Sequence, residues 1–415
     1  MPNDSAVITS IMSTNFPSYA LEQPTVTICS PYKVVKSRVD EFFRIMTFDS
    51  DIQKYELEQT ISIFAHYLQR NKPDISKKSN KSVMIIIMKW TDFLEKNYWT
   101  ISDFLIFHHQ PCDEFILKCY VARKPTICSD IFRVSKTRYG LCCSYDYLQT
   151  RDALLLKVNP PLKKRRNNFR QYNGLFEDGI TFLLNLSHQN PIYSSNEYNA
   201  ALVYLHSRDD YPFVYTNAAW ISSGIEMVYR YSINAMVSST AVKNLDPSLR
   251  KCYSRDEVKL KFFDHYTLEN CNIEADMELM IEKCNCLLTR YPNQGFVKDC
   301  TVYNSFCYHS LGIDYSFYHK KFVNINGKRM QCLERCNYVR HIPTSNSAPI
   351  ADPELNSYGV WDDIKNITGL ALFSLFRGST ESVVYEKTLT ATNLELIVWI
   401  SGFAGPTPQD RRDFD

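Results

Sequence analysis

Several familiar features are missing from this chain. No run of about 18 or more apolar residues occurs in its 415 positions, so as written it offers no convincing membrane-spanning helix. The first 19 residues hold Asp4 and several Ser and Thr but no apolar core, so no signal peptide opens it. Charge is balanced, 47 basic residues against 45 acidic. That leaves no basic stripe to release counterions from a polyanion, and no nucleic-acid partner is expected. A Gly-rich phosphate loop, His-Glu-x-x-His and Gly-x-Ser-x-Gly are also lacking, so no catalytic residues and no cofactor are expected. No internal repeat recurs at a fixed period.

What the chain does have is apolar content and cysteine. At 45% hydrophobic and 13% aromatic it can bury a large core. Eight of the 14 cysteines fall between Cys252 and Cys336, at close and irregular spacing between polar segments. This is the pattern of a region stapled by disulfides in an oxidising compartment. Zinc is the rival reading, but Cys284 and Cys286 are separated by one residue instead of the usual two to four, and no histidine lies between them and Cys300. No metal is expected there. The pair His108-His109 before Cys112 reads as exposed or hydrogen-bonded on a finger-like helix, not as a ligand set.

The pattern along the chain is mixed. Residues 23–29 read as a β-branched strand, 39–71 and 90–107 as helices by their three- and four-residue apolar spacing, and 179–186, 200–205 and 227–233 as strands. Residues 255–263 and 276–282 read as short helical pieces between cysteines. The longest apolar stretches are 83–88, 369–376 and 396–404. The first is expected as buried core. The second is followed by Arg377, Glu381, Glu386 and Lys387, and a charge at mid-bilayer costs about 2.5–3.5 kcal/mol. The order of elements indicates α+β and not βαβ repeats.

Four blocks, in order, carry a family resemblance. Pro24-Thr-Val-Thr-Ile-Cys29 resembles Phe-Pro-Ala-Val-Thr-Ile-Cys, and Gly140-Leu-Cys142-Cys143-Ser-Tyr145-Asp146 resembles Gly-x-Cys-Cys-x-Phe-Asn. His206 and Pro212 match a His-x5-Pro pattern. The most specific block has Arg250, Cys252 and Glu257, then Tyr266-Thr-Leu-Glu-Asn-Cys271, Cys284-Asn-Cys286, Cys300, Cys307 and Cys332-Leu-Glu-Arg-Cys336. From about Pro24 to about Ser382 the chain resembles the extracellular region of the degenerin and epithelial sodium channel superfamily, most of all its insect pickpocket branch.

The resemblance implies an α+β fold: an extracellular palm and β-ball sheet, a helical finger, a disulfide-laced thumb and a degenerate C-terminal membrane helix. Its boundaries would be 1–28, a strand region just outside a missing first membrane helix; 29–251, finger, palm and β-ball; 252–340, the thumb; 341–365, the return to palm and membrane; and 366–415, the degenerate second helix and tail. The implied disulfides are Cys29 with Cys142, Cys252 with Cys336, Cys271 with Cys332, Cys284 with Cys307, and Cys286 with Cys300. One family rung is replaced at both ends, by Ala275 and Met330, which leaves no orphan thiol. Among Cys112, Cys119, Cys128 and Cys143, Cys128 is placed to join either Cys119 or Cys112.

By the same resemblance Asn366 to Ser382 is the start of the second membrane helix, with Gly378, Ser379 and Ser382 at the narrowest part of the pore. Arg377 departs from that pattern, since three arginines around a cation filter would repel the ion. Asn80 and Asn185 are expected glycosylation acceptors; Asn366-Ile-Thr368 also matches but is placed close to the membrane. Lys163-Lys-Arg-Arg166 reads as a solvated basic loop. The expected function is a subunit of a trimeric, sodium-selective, amiloride-sensitive-type channel in the plasma membrane, mostly extracellular. Its partners would be sodium ions, the membrane and two further homologous subunits. The alternative is a non-conducting truncated or regulatory subunit, or a soluble ligand-binding ectodomain.

Overall fold

The computed structural model describes residues 7–46, 56, 81–147, 149–159, 179–187, 191–194, 200–212, 218–301, 304–311, 321–325, 327–350, 359–364 and 366–390. Its strands are β1 (Val7–Pro17), β2 (Thr25–Cys29), β3 (Tyr32–Val35), β4 (Ile116–Val121), β5 (Lys124–Thr126), β6 (Phe132–Thr137), β7 (Gly140–Tyr145), β8 (Ile180–Asn185), β9 (Pro191–Ser194), β10 (Ala200–His206), β11 (Ala218–Ser222), β12 (Ile225–Ser238), β13 (Cys252–Tyr253), β14 (Phe322–Ile325), β15 (Lys328–Gln331), β16 (Glu334–Arg335), β17 (Tyr338–Pro349), β18 (Leu370–Arg377) and β19 (Glu381–Leu389). The helices are α1 (Lys36–Ile45), α2 (Lys81–Lys96), α3 (Ile101–His108), α4 (Cys112–Phe115), α5 (Cys128–Ile131), α6 (Ala153–Val158), α7 (Thr240–Lys243), α8 (Pro247–Arg250), α9 (Leu268–Cys284) and α10 (Ser305–Ser310). No helix among the described residues is long and apolar enough to cross a membrane.

Two sheets share one core. The eight-stranded sheet runs β1-β19-β12-β18-β8-β4-β5, with β17 also paired to β12; the five-stranded sheet runs β11-β10-β2-β7-β6. Strand alternation explains how they meet. Ala201, Val203 and Leu205 of β10 join Val26 and Ile28 of β2, Phe182 and Leu184 of β8, and Ala371, Phe373 and Leu375 of β18 in the shared core. Leu202 and Tyr204 point the other way, onto Cys29 and Cys142. Leu370 and Leu372, on the far face of β18, pack with Leu183, Val360 and Trp361.

β18 corrects the membrane-helix expectation. Residues 370–389 are not the start of a membrane helix but two strands in the middle of the large sheet. β18 pairs parallel with β12 from Glu226↔Leu372 to Tyr231↔Arg377 and antiparallel with β8. β19 continues along the same strand, from Asn234↔Val383 to Ser238↔Lys387. The reason lies in burial: every residue of β18 is buried. A strand covered on both faces reads as an unbroken apolar run, as a piece of membrane helix does. Gly369 and Gly378 bound the strand, and its pairing with β12 and β8 decides between the two readings.

Three further expectations change. Residues 83–88 belong to α2, where Ile85 and Met88 are exposed instead of core, because Trp90, Phe93 and Leu94 supply the inward face. Residues 255–263 form turns, not a helix; there the backbone N–H groups of Lys261 and Phe262 donate to Glu274 instead of to a preceding turn. The single helix expected over 90–107 is two, α2 and α3, separated where Thr100 caps α3 in a reciprocal box with Asp103. Of 39–71, α1 covers the beginning, and the stretch from 47 apart from residue 56 lies outside the described residues, as do Asn80, 163–166 and 396–404.

Phe373 tests the placement of β18 directly. It is fully buried against Phe182 and Tyr229, with ring centroids 6.3 and 5.5 Å away. Phe373→Ala should cost about 3–5 kcal/mol in denaturant unfolding. An unchanged midpoint would contradict a core strand here.

Candidate functional site

The described part of the chain enters and leaves the large sheet at one point. β1 pairs antiparallel with β19, so Val7 stands opposite Leu389 and Ile8 opposite Thr388. Farther along, Ser18 and the buried Ser382 join hydroxyls at 2.7 Å. The three residues expected in a pore filter sit in this sheet. Gly378 donates its N–H to the Tyr231 carbonyl at 2.8 Å and lies at the interruption between β18 and β19 with Ser379; Ser382 is a residue of β19. Arg377 is buried opposite Tyr231 in the ladder. Residues 378–380 are thus a bend between two strands that follow one another along β12.

All 14 cysteines are bonded. Cys29 joins Cys142 across β2 and β7, and Cys252 joins Cys336 where the cysteine-rich segment meets the sheet. Inside that segment the bonds are Cys271 to Cys332, Cys284 to Cys307 and Cys286 to Cys300. The pairing left open resolves as Cys119 with Cys128 and Cys112 with Cys143. His109 lies within 4.8 Å of the Cys112 and Cys143 sulfurs, but those are bonded to each other and offer no thiolate to a metal. Ala275 and Met330, at the replaced rung, pack against the apolar core of the segment.

The Tyr266-Thr-Leu-Glu-Asn-Cys271 block is the bolt between the cysteine-rich segment and the sheet. Thr267 caps α9 by accepting the Asn270 N–H. Asn270 Oδ1 accepts the Tyr211 N–H at 2.8 Å, and its Nδ2 donates to the Asp209 and His265 carbonyls. Tyr211, just beyond β10, donates its hydroxyl to the Arg290 carbonyl. Tyr266 donates to the Leu333 carbonyl, and Leu333 N–H donates back. Arg250, buried, donates to the Cys252 and Leu245 carbonyls and pairs with Glu257. Tyr266, Thr267 and Asn270 of the motif, with Arg250, are therefore partners for backbone groups that would otherwise be left unsatisfied.

Charge gathers at the same junction. Burial, then the neighbouring Asp209, raises the Glu22 carboxyl above its ordinary range. Burial, then Glu269, holds Asp210 well above it, and burial with Glu334 raises Glu269. Arg335 lies 3.6 Å from Asp209. His341 Nε2 donates to the Glu22 carbonyl at 2.9 Å. His206 Nδ1 donates to the Ser207 carbonyl, so its Nε2 accepts the Thr27 hydroxyl.

A buried ion pair escaped the sequence reading. Lys136 Nζ lies 2.7 Å from Asp152, with both side chains essentially inaccessible. Asp152 also accepts the Leu154 and Leu155 N–H groups at the start of α6 and the Asn293 N–H from the cysteine-rich segment. Asp152 before Ala-Leu-Leu-Leu is a visible cap, but nothing in sequence pairs it with Lys136 or Asn293.

With the geometry in place the class is clear: a disulfide-stapled α+β protein with a cysteine-rich segment fixed to a two-sheet body. Residues 3–405 match the family model described as amiloride-sensitive sodium channel. The chain belongs to this family, the degenerin and epithelial sodium channel superfamily, on its insect branch. It is 23% identical over 283 residues to Sodium channel protein Nach of Drosophila ananassae, covering 66% of this chain and 49% of that one. To the Drosophila melanogaster Nach it is 22% identical over 285 residues, covering 66% and 51%. To Pickpocket protein 28 of Drosophila melanogaster it is 20% identical over 329 residues, covering 68% and 52%. The chain spans about half the length of the relatives it matches.

Two measurements check the junction and the ion pair. Lys136→Met leaves the Asp152 carboxylate buried without a counter-charge and should lower unfolding free energy by about 3–5 kcal/mol in denaturant titration. Burial lowers the His341 pKa from 6.5 to about 4, so the fold holds it neutral. That contribution is complete above the unfolded value and lost as pH falls toward the folded one, on the order of 3 kcal/mol in all. His341→Gln keeps a donor for Glu22 but cannot take the proton. Thermal melts between pH 7.5 and 4.5 should show a shallower acid decline in the variant than in the parent.

Proposed function

We propose that the chain is the main extracellular part of a subunit of a sodium-conducting channel in the plasma membrane, assembled from three homologous subunits and of amiloride-sensitive type. It conducts passively and carries out no bond chemistry. One observation carries the reading: β1 and β19 lie side by side with Val7 opposite Leu389, so the sheet hands its two ends to one place. A subunit that closes and opens a pore through its extracellular body needs such a pair of adjacent strands. Family membership and seven disulfides, suited to an oxidising compartment, support the same reading.

The pore segment belongs beyond Leu389, where the sequence has the apolar run 396–404 with Gly402 and Gly405, not at residues 378–382. Movement of the thumb reaches it through the Asn270–Tyr211 contact and β10, then across the shared core to β12 and along it into β19, as a shift between two states of the body.

Recording tests this. The full-length protein, expressed in oocytes with its homologous subunits, should carry an amiloride-blocked inward current that disappears when external sodium is replaced by a large organic cation. Surface-expressed protein with no sodium current would overturn the conducting reading. Ile8→Cys with Thr388→Cys, directly opposite in the ladder, should form a disulfide on oxidation and change the open fraction, while each single variant does not.

A further inference from the structure

The four Asn-x-Ser/Thr sequences are not equivalent in the fold, and the difference reverses what sequence position alone indicates. Asn3 and Asn80 lie outside the described residues. Asn185 is the last residue of β8, paired across the ladder with Leu370. Its Nδ2, the atom that would carry a sugar, donates to the Glu114 carbonyl at 3.5 Å, and its Oδ1 accepts the Ser187 N–H and hydroxyl. The acceptor triplet itself is pressed into the sheet. Leu186 N–H donates to the Gly369 carbonyl at 2.6 Å, and a Cβ on Gly369 would meet the Ser187 Cα at 2.6 Å.

Asn366-Ile-Thr368 is in the opposite condition. It precedes β18 in a turn, Asn366 and Thr368 are both exposed, and Ile367 packs inward with Trp361 and Leu370. The Thr368 N–H donates to Asn366 Oδ1 at 2.8 Å, which fixes the turn through the carbonyl oxygen. Nδ2 has no partner among the described residues, so a substituent there displaces none of their contacts. Position matters as much. Asn366 lies before the start of β18, and Leu389 ends β19 on the same line along β12, whose 14 residues span on the order of 45 Å at strand rise. The sequon is therefore at the far end of the sheet from the end where Val7 and Leu389 meet.

We propose that Asn366, and not Asn185, carries an N-linked glycan. The inference rests on the reading of this domain as extracellular. In the transfer, Nδ2 of Asn366 bonds to the anomeric carbon of a lipid-pyrophosphate-linked oligosaccharide, the lipid pyrophosphate leaves with the bond's electron pair, and the amide nitrogen gives up one proton. Thr368 supplies the hydroxyl of the Asn-x-Thr sequence that the transferase recognises, and forms no bond to the sugar. A glycan at this place covers the apex formed by the turn at 359–369 and shields the packed ends of β8 and β18 from other chains.

The test is a peptide map of the full chain, directed into the secretory pathway of cultured insect cells by an added leader. Peptide N-glycosidase treatment converts a sugar-bearing asparagine to aspartate, which mass spectrometry locates. The expected result is conversion at Asn366 and none at Asn185. Asn366→Gln should lose one glycan-sized step in gel mobility, and Asn185→Gln none. An unmodified Asn366, or an occupied Asn185, overturns the proposal. The same digest, run unreduced, reports Cys271 linked to Cys332. Those cysteines linked with Asn366 bare would defeat the glycan proposal alone, whereas free thiols there would defeat the extracellular reading with it.

Discussion

The large sheet depends on one constraint: residues 370–389 must lie along a single edge of the 14-residue strand β12. Two parallel ladders share that edge, with the bend at 378–380 between them and the Gly378–Tyr231 hydrogen bond stitching the gap. Once that line is set, its outer side has room for two more strands in series. β8 takes the half beside β18 and β1 the half beside β19. The convergence of Val7 and Leu389 follows from this arrangement and needs no contact of its own.

A second body hangs from the same strand. At the end of β12, Ser238 N–H donates to Asn337 Oδ1 and its hydroxyl to the Cys336 carbonyl, and Cys336 is bonded to Cys252. The cysteine-rich segment beyond has its own smaller core, in which Tyr, Met and Cys pack with Leu, Val, Ile and Phe around α9. Disulfides that restrict its unfolded chain supply what so small a core cannot, at about 2–4 kcal/mol each. Its buried acids are held by specific partners: Glu274 accepts two backbone N–H groups, and Asp276 pairs with Lys321 at 2.7 Å. The replaced rung is filled by apolar contact at Ala275 and Met330, so the segment closes without it.

The junction between the two bodies is polar and buried, which makes it sensitive to geometry and to protons. Asn270 and Tyr211 form a direct bridge, the Asn270 amide accepting the Tyr211 N–H and donating to the Asp209 and His265 carbonyls. Around it, raised carboxyls and neutral histidines pull in opposite directions as pH falls. The acids Glu22, Asp210 and Glu269 lose a repulsive burden on protonation, while His206 and His341 must take a charge that burial disfavours. The interface is thus held by bonds that depend on alignment, in contrast to the broad apolar core between the sheets.

Much of this was legible in the residues. Alternating runs in 200–205 and 227–233 marked β10 and β12, the proline and β-branched stretch at 24–29 marked β2, and cysteine spacing with the Tyr266 to Cys271 block marked the stapled segment. Local pattern suffices for these because strand period, caps and turn residues act between neighbours in sequence. What only the tertiary structure decided was whatever depends on distant cover. Leu370 to Arg377 is a central strand because β12 and β8 pair along its two edges while the five-stranded sheet covers one face and the 360–361 turn the other, and its sequence alone reads equally well as part of a membrane helix. Lys136 with Asp152, Cys112 with Cys143, and the exposure of Asn366 against the confinement of Asn185 were settled in the same way. Burial is a property of what lies on the other side of a residue, and that is fixed only when the chain has closed on itself.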